Sequence, residues 1–87
     1  MEWSLGKTLK KARIDIGISQ RELARRTGLR QSHLSLIEND RHDPSATIVR
    51  ILALALGVSS DYLFGFTDDP RPRRTRQRDD ADDEEAA

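Results

Sequence analysis

Gln31, Ser32, Ser35, Leu36 and Asn39 are the residues with the most chemistry to offer. At about 100° per residue they fall on one side of a helix, while Leu34 and Ile37 fall on the other with Leu29 just upstream. Glutamine presents a donor and an acceptor together, the pattern that matches adenine N6 and N7 in the DNA major groove. Ser32 and Ser35 are short and both donate and accept, so they discriminate weakly. Leu36, apolar on a polar side, suits a thymine methyl or stands as a lone surface leucine. A second short amphipathic segment and one glycine, Gly28, precede this face. Two short helices around a glycine turn are how a small protein pushes a helix into the major groove.

Other chemistries lack their residues. There is no cysteine, so neither a disulfide framework nor a thiolate zinc site is available. His33 and His42 have no carboxylate or cysteine company of the kind a metal site needs, and read as surface or packing residues. No nucleophile–base constellation and no phosphate-binding glycine loop is present, so neither an enzyme nor a cofactor is expected. A chain of 87 residues is one domain with a thin core. Met1 to Leu9 holds no signal-peptide pattern. No stretch approaches the roughly 18 apolar residues of a membrane span. The expectation is a soluble cytoplasmic protein, nucleoid-associated, with no membrane partner.

The elements that must position the polar face follow from caps and periodicity. Ser4 caps a first helix in which Leu5, Leu9, Ala12 and Ile16 recur at helical spacing, and Gly17 ends it. Ser19 and Glu22 form a capping box flanked by the hydrophobic staple Ile18 and Leu23. The second helix therefore starts at Gln20, turns Leu23, Ala24 and Thr27 inward, and stops at Gly28. A third runs from about Gln31 to Asn39, and Asp40 to Pro44 reads as a loop. Ser45 caps a fourth helix that lasts to Gly57, and a short fifth covers Asp61 to Phe64. No β-branched alternation competes. The fold class is all-α: five helices over residues 1–66, with the helix-turn-helix pair at about 20–39.

The zero net charge averages two unlike parts. Up to Phe66 there are ten Lys/Arg against seven Asp/Glu; from Thr67 onward there are five Arg against eight Asp/Glu. Residues 67–87 carry no large apolar side chain, cannot offset their ordering entropy, and are expected to be a disordered tail, basic then acidic. Arg71, Arg73, Arg74, Arg76 and Arg78 suit a basic arm on DNA, Asp79 to Glu85 an electrostatic competitor, and the whole a solvated extension. Helix 4 raises a different question. Val49, Leu52, Ala53 and Leu56 make its core stripe, yet Ile48, Ile51, Leu54 and Ala55 extend apolar character around the other side. A helix apolar all round needs cover all round. The expected cover is a second copy, packed through these residues with Phe64 and Phe66, so that a homodimer supplies two reading helices. The alternative is that Trp3, Phe64 and Phe66 fold over the patch within one copy.

Taken in order, Leu9-x-x-Ala12-Arg13, Gly17-Ile18-Ser19-Gln20-x-Glu22-Leu23-Ala24, Thr27-Gly28, Ile37-Glu38-Asn39, Pro44-Ser45 and Leu56-Gly57-Val58-Ser59-x-Asp61-Tyr62-Leu63 resemble the lambda repressor/Cro-like (Xre-type) helix-turn-helix transcriptional regulators. The likeness covers roughly residues 5–66. It implies a five-helix domain, usually dimeric, that acts on transcription at a two-fold symmetric operator in double-stranded DNA. It implies that Gln31, Ser32 and Leu36 meet base edges with Ser35 between them. It gives phosphate contacts to Gln20, Arg30, Asn39 and Arg41, and makes Arg13 and Glu38 a structural pair joining helices 1 and 3. Arg30 departs from the pattern, which favours Ser there; losing a side-chain cap costs on the order of 1 kcal/mol, and a cation near DNA is gained. Asp40 stands where the family favours glycine. It tolerates left-handed geometry and is expected to add a negative charge on the DNA side. The function implied is a DNA-binding repressor. The alternative is an antitoxin or other protein-interaction module, with a partner on the tail or the helix 4 patch.

Overall fold

Among the described residues, four of the five helices begin on a serine whose hydroxyl accepts a backbone N–H one turn on: Ser4 from Lys7, Ser19 from Glu22, Ser45 from Ile48 and Ser59 from Tyr62. Each satisfies one of the orphan donors at a helix start. The computed structural model describes residues 3–72; the arginine and acidic runs from Arg73 to Glu85 lie outside the described residues. The helices are α1 (Leu5–Asp15), α2 (Gln20–Thr27), α3 (Gln31–Glu38), α4 (Ala46–Leu56) and α5 (Ser60–Leu63). Among the described residues there is no strand, and no helix is long and apolar enough to cross a membrane.

Only half of the expected capping box forms. Ser19 accepts from Glu22 N–H at 3.0 Å, but the Glu22 carboxylate does not return to the Ser19 backbone. It takes Arg25 Nε at 3.0 Å and Arg26 Nε at 2.8 Å instead. Two guanidinium groups three and four residues along the same helix outbid one backbone N–H.

Leu9, Leu23, Leu34, Ile37, Val49, Leu52 and Leu63 are fully buried, so every helix sends at least one side chain to a single centre. Each such burial contributes about 1.5–3 kcal/mol relative to exposure. Ile16, expected on the inward stripe of α1, is 45% exposed. The helix ends at Asp15, and Gly17 and Ile18 donate back to Ile14 and Arg13. The helical phase that would have carried Ile16 inward is lost there.

The turn between α2 and α3 is built by its own residues. Gly28 adopts φ 78°, left-handed, and donates to Ala24 O at 2.8 Å. Thr27 Oγ1 donates to Leu23 O at 2.9 Å and accepts from Leu29 N–H at 3.2 Å. Leu29, packed against the core, then starts the chain into α3.

On α4, Val49, Leu52, Ala53 and Leu56 are buried, and Ile48 and Ala55, with Phe64 beyond α5, pack partly against the core. Ile51 is half-buried. Leu54 is 74% exposed and Phe66 is 76% exposed. Phe64 and Phe66 stack with ring centroids 5.9 Å apart. Trp3 lies against Gly65, where an added Cβ would come within 2.7 Å of its ring. Thr67 to Pro72, assigned to the tail by composition, run back along the domain. Ser59 N–H donates to Pro70 O at 2.9 Å, and Arg71 pairs with Asp69 at 2.8 Å.

Candidate nucleic-acid interface

Helix α3 exposes Gln31 and Ser32 to solvent, with Ser35 half-buried beside them. Leu36 completes the face at 46% exposure. Leu34 and Ile37 point the other way and are fully buried. The helix is thus anchored by one stripe and free along the other. Arg30, its N-cap residue, is exposed and makes no side-chain cap hydrogen bond. The first turn of α3 therefore keeps its N–H groups free beside a cationic side chain, an arrangement that favours an anion.

The expected phosphate contacts are placed differently from one another. Arg30 and Arg41 are exposed, at the two ends of α3. Asn39 is exposed, and its Nδ2 donates back to Ser35 O at 2.8 Å. Gln20 is half-buried and donates from Nε2 to Glu38 Oε1 at 3.1 Å. It belongs to the network beneath the face as well as to the start of α2.

That network centres on Glu38, 2% exposed, and Arg13, 11% exposed. Arg13 Nε donates to Oε2 at 2.7 Å and Nη2 to Oε1 at 3.0 Å, while Nη1 reaches Ile18 O at 2.9 Å. The Glu38 hydrogen bonds hold the Arg13 guanidinium above its ordinary pKa, against the opposing effect of burial. A buried pair is tolerated only when its remaining valences are met, and here Gln20 and the Ile18 carbonyl meet them. The three side chains join α1, the start of α2 and the end of α3.

Asp40 turns out to face elsewhere than its sequence position suggested. Its backbone is left-handed, φ 57°, but its carboxylate turns toward the start of α1. Oδ1 accepts from Gly6 N–H at 2.9 Å and Oδ2 accepts from the Ser4 hydroxyl. Those two bonds, the Ser4 one foremost, hold its carboxyl below the usual carboxylate range. The charge expected on the DNA side is directed into a helix N-terminus, where it is favourable. Sequence reasoning missed this contact because its partners lie 34 and 36 residues away. The one local signal was Gly6, a glycine in the first turn of α1 where neither a loop nor a left-handed backbone calls for one.

His33 and His42 pack edge to face with ring centroids 4.7 Å apart. Among the described residues no group of three or more His, Cys, Asp or Glu is placed to hold a metal ion.

A left-handed glycine turn that leads into a helix buried along one side and exposed along the other is the geometry of a helix-turn-helix. Comparison with known proteins agrees. The helix-turn-helix family profile matches residues 9–63. The HTH-type transcriptional regulator ImmR of Bacillus subtilis (strain 168) is 40% identical over 62 residues, which are 71% of this chain and 49% of ImmR. The immunity repressor of Bacillus phage phi105 is 32% identical over 62 residues, 71% of this chain and 43% of that protein. The chain thus spans about half the length of these curated relatives. Among solved structures, SinR, the master regulator for biofilm formation, was determined in complex with DNA. It is 33% identical with a TM-score of 0.67, over 69% of this chain and 97% of the SinR chain. The chain belongs to the helix-turn-helix family of transcriptional regulators, in its lambda repressor/Cro-like branch.

Proposed function

We propose that this chain binds double-stranded DNA sequence-specifically, as a cytoplasmic, nucleoid-associated transcriptional repressor that sits on a palindromic operator as a homodimer. The observation that carries the reading is the free polar face of α3, anchored from behind by Leu34 and Ile37. In the bound state α3 lies in the major groove. Gln31 pairs with an adenine edge, Ser32 and Ser35 contact neighbouring bases, and Leu36 packs on a thymine methyl. Gln20, Arg30, Asn39 and Arg41 hold phosphates on either side, and Arg13 with Glu38 sets the angle of the helix. Phosphate contacts fix register, and the base edges carry the sequence information.

The dimer reading is supported by large apolar side chains left exposed: Leu54, on the side of α4 that also carries the half-buried Ile51, and Phe66, stacked on Phe64. Large apolar side chains left together on a small surface mark an interaction site, and a two-fold pairing places two α3 helices on successive major-groove faces. Selection of bound sequences from random duplexes tests both halves of the proposal. Inverted half-sites about one helical turn apart are the expected product; unrelated or single half-site sequences would contradict it.

A further inference from the structure

Glu38 and Asp40 tie the end of α3 to opposite ends of α1. Glu38 takes Arg13 near the C-terminal end, and Asp40 takes Ser4 and Gly6 at the N-terminal end. The second tie is built closely. A Cβ on Gly6 would fall 2.5 Å from Glu38 O and 2.6 Å from Ile37 O, so the first turn of α1 rides directly on the last turn of α3. Ser4 Oγ accepts Lys7 N–H at 3.2 Å while donating to Asp40. The N-cap of α1 and the end of α3 are therefore one hydrogen-bonded unit.

The backbone of Asp40 has a second consequence. Its own N–H donates to Ile37 O at 3.0 Å, and the Arg41 N–H donates to Leu36 O at 2.8 Å. These are the two bonds of a Schellman turn, in which the left-handed residue is usually glycine. Glycine would adopt φ 57° with less strain. What glycine lacks is the carboxylate. The turn directs Arg41 out of the helix, and the Asp40 carboxylate fastens that turn to the start of α1.

We propose that Asp40 is a positioning residue for DNA binding: its carboxylate locks the end of the reading helix onto α1 and so presents Arg41 to a backbone phosphate. This rests on the reading of α3 as the DNA-contacting helix.

The test measures binding of the full chain to its selected operator across a salt series, for wild type, Asp40→Gly, Asp40→Ala, Arg41→Ala and the double variant Asp40→Gly/Arg41→Ala. Asp40→Gly removes the carboxylate and relieves the backbone, whereas Asp40→Ala removes the carboxylate and keeps the strain. Both are expected to bind on the order of fivefold more weakly near physiological salt. Both should also lose about 0.9 from the slope of log affinity against log salt, the share of one phosphate contact, whatever their melting temperatures. Arg41→Ala should lose the same slope, and the double variant no more than either single change. Wild-type affinity and slope in Asp40→Gly would overturn the proposal. So would losses that track melting temperature, or slope losses that add in the double variant. If the wild type itself binds no duplex in a salt-dependent way, the reading of α3 falls first and this inference with it.

Discussion

Glu38 receives the Arg13 guanidinium through two parallel hydrogen bonds, Nε to Oε2 at 2.7 Å and Nη2 to Oε1 at 3.0 Å, with the Glu38 carboxylate buried and Arg13 partly so. The pair joins two elements, because Arg13 stands on α1 and Glu38 on the helix that carries the polar face. Removing one partner leaves an uncompensated buried charge. Arg13→Ala is therefore expected to destabilise the domain by about 3–5 kcal/mol, read by urea unfolding. Replacing both residues with apolar side chains of similar volume should restore much of that stability without restoring DNA affinity. A single variant within about 0.5 kcal/mol of wild type would show that the pair contributes little.

Glu22 gives the fold a dependence on acid. Its hydrogen bonds from Arg25 and Arg26 hold the carboxyl at about 2, against an ordinary value of 4.5. A depressed folded-state pKa stabilises above the unfolded value and is lost as pH falls toward the folded one. The window is therefore from about 4.5 down to about 2. Asp69 beside Arg71, also at about 2, acts in the same direction. Glu22→Gln should flatten, without abolishing, the fall of melting temperature across that window. A Glu22→Gln profile parallel to wild type would exclude the contribution.

Arg30 opens α3 without capping it. Arg30→Ser is expected to stabilise the domain by about 1 kcal/mol through a new side-chain cap, and to weaken DNA binding with a salt slope shallower by about 0.9. Thermal melts and salt-series binding on the same sample separate the two effects. Stabilisation with unchanged slope would mean that Arg30 touches no phosphate.

The proposed homodimer rests on the apolar side chains left exposed at Leu54 and Phe66. Leu54→Arg is expected to leave the fold intact, since the side chain is mostly exposed, and to convert a dimer into a monomer in sedimentation equilibrium. Binding to a full palindrome should fall toward that for an isolated half-site. A wild type that sediments as a monomer at all concentrations would remove the homodimer and leave the patch to a different protein.

Four of the helices and their caps were legible from local chemistry, a serine before the start, a glycine soon after the end and apolar residues at helical spacing; α3, opened by Arg30 and closed at Asp40, was legible from its spacing and from Gly28 before it. Arg30 as an uncapped start of α3 was legible for the same reason. What escaped was tertiary. Asp40 bonds to Ser4 and Gly6 across most of the motif, and no window of sequence joins those positions. Glu22 abandoned its expected backbone partner for Arg25 and Arg26, a competition that the capping pattern alone does not weigh. Ile16 kept the helical spacing but lost the helix.

Gln31 carries the central claim. Sequences selected from random duplexes by wild type and by Gln31→Ala should both be inverted repeats. Only one symmetric position, an adenine in the wild-type site, should lose its preference in the variant, at a cost of about 1–3 kcal/mol on the wild-type operator. Identical selected sequences and equal affinities for the two proteins would contradict the assignment of this face of α3 as the reading surface.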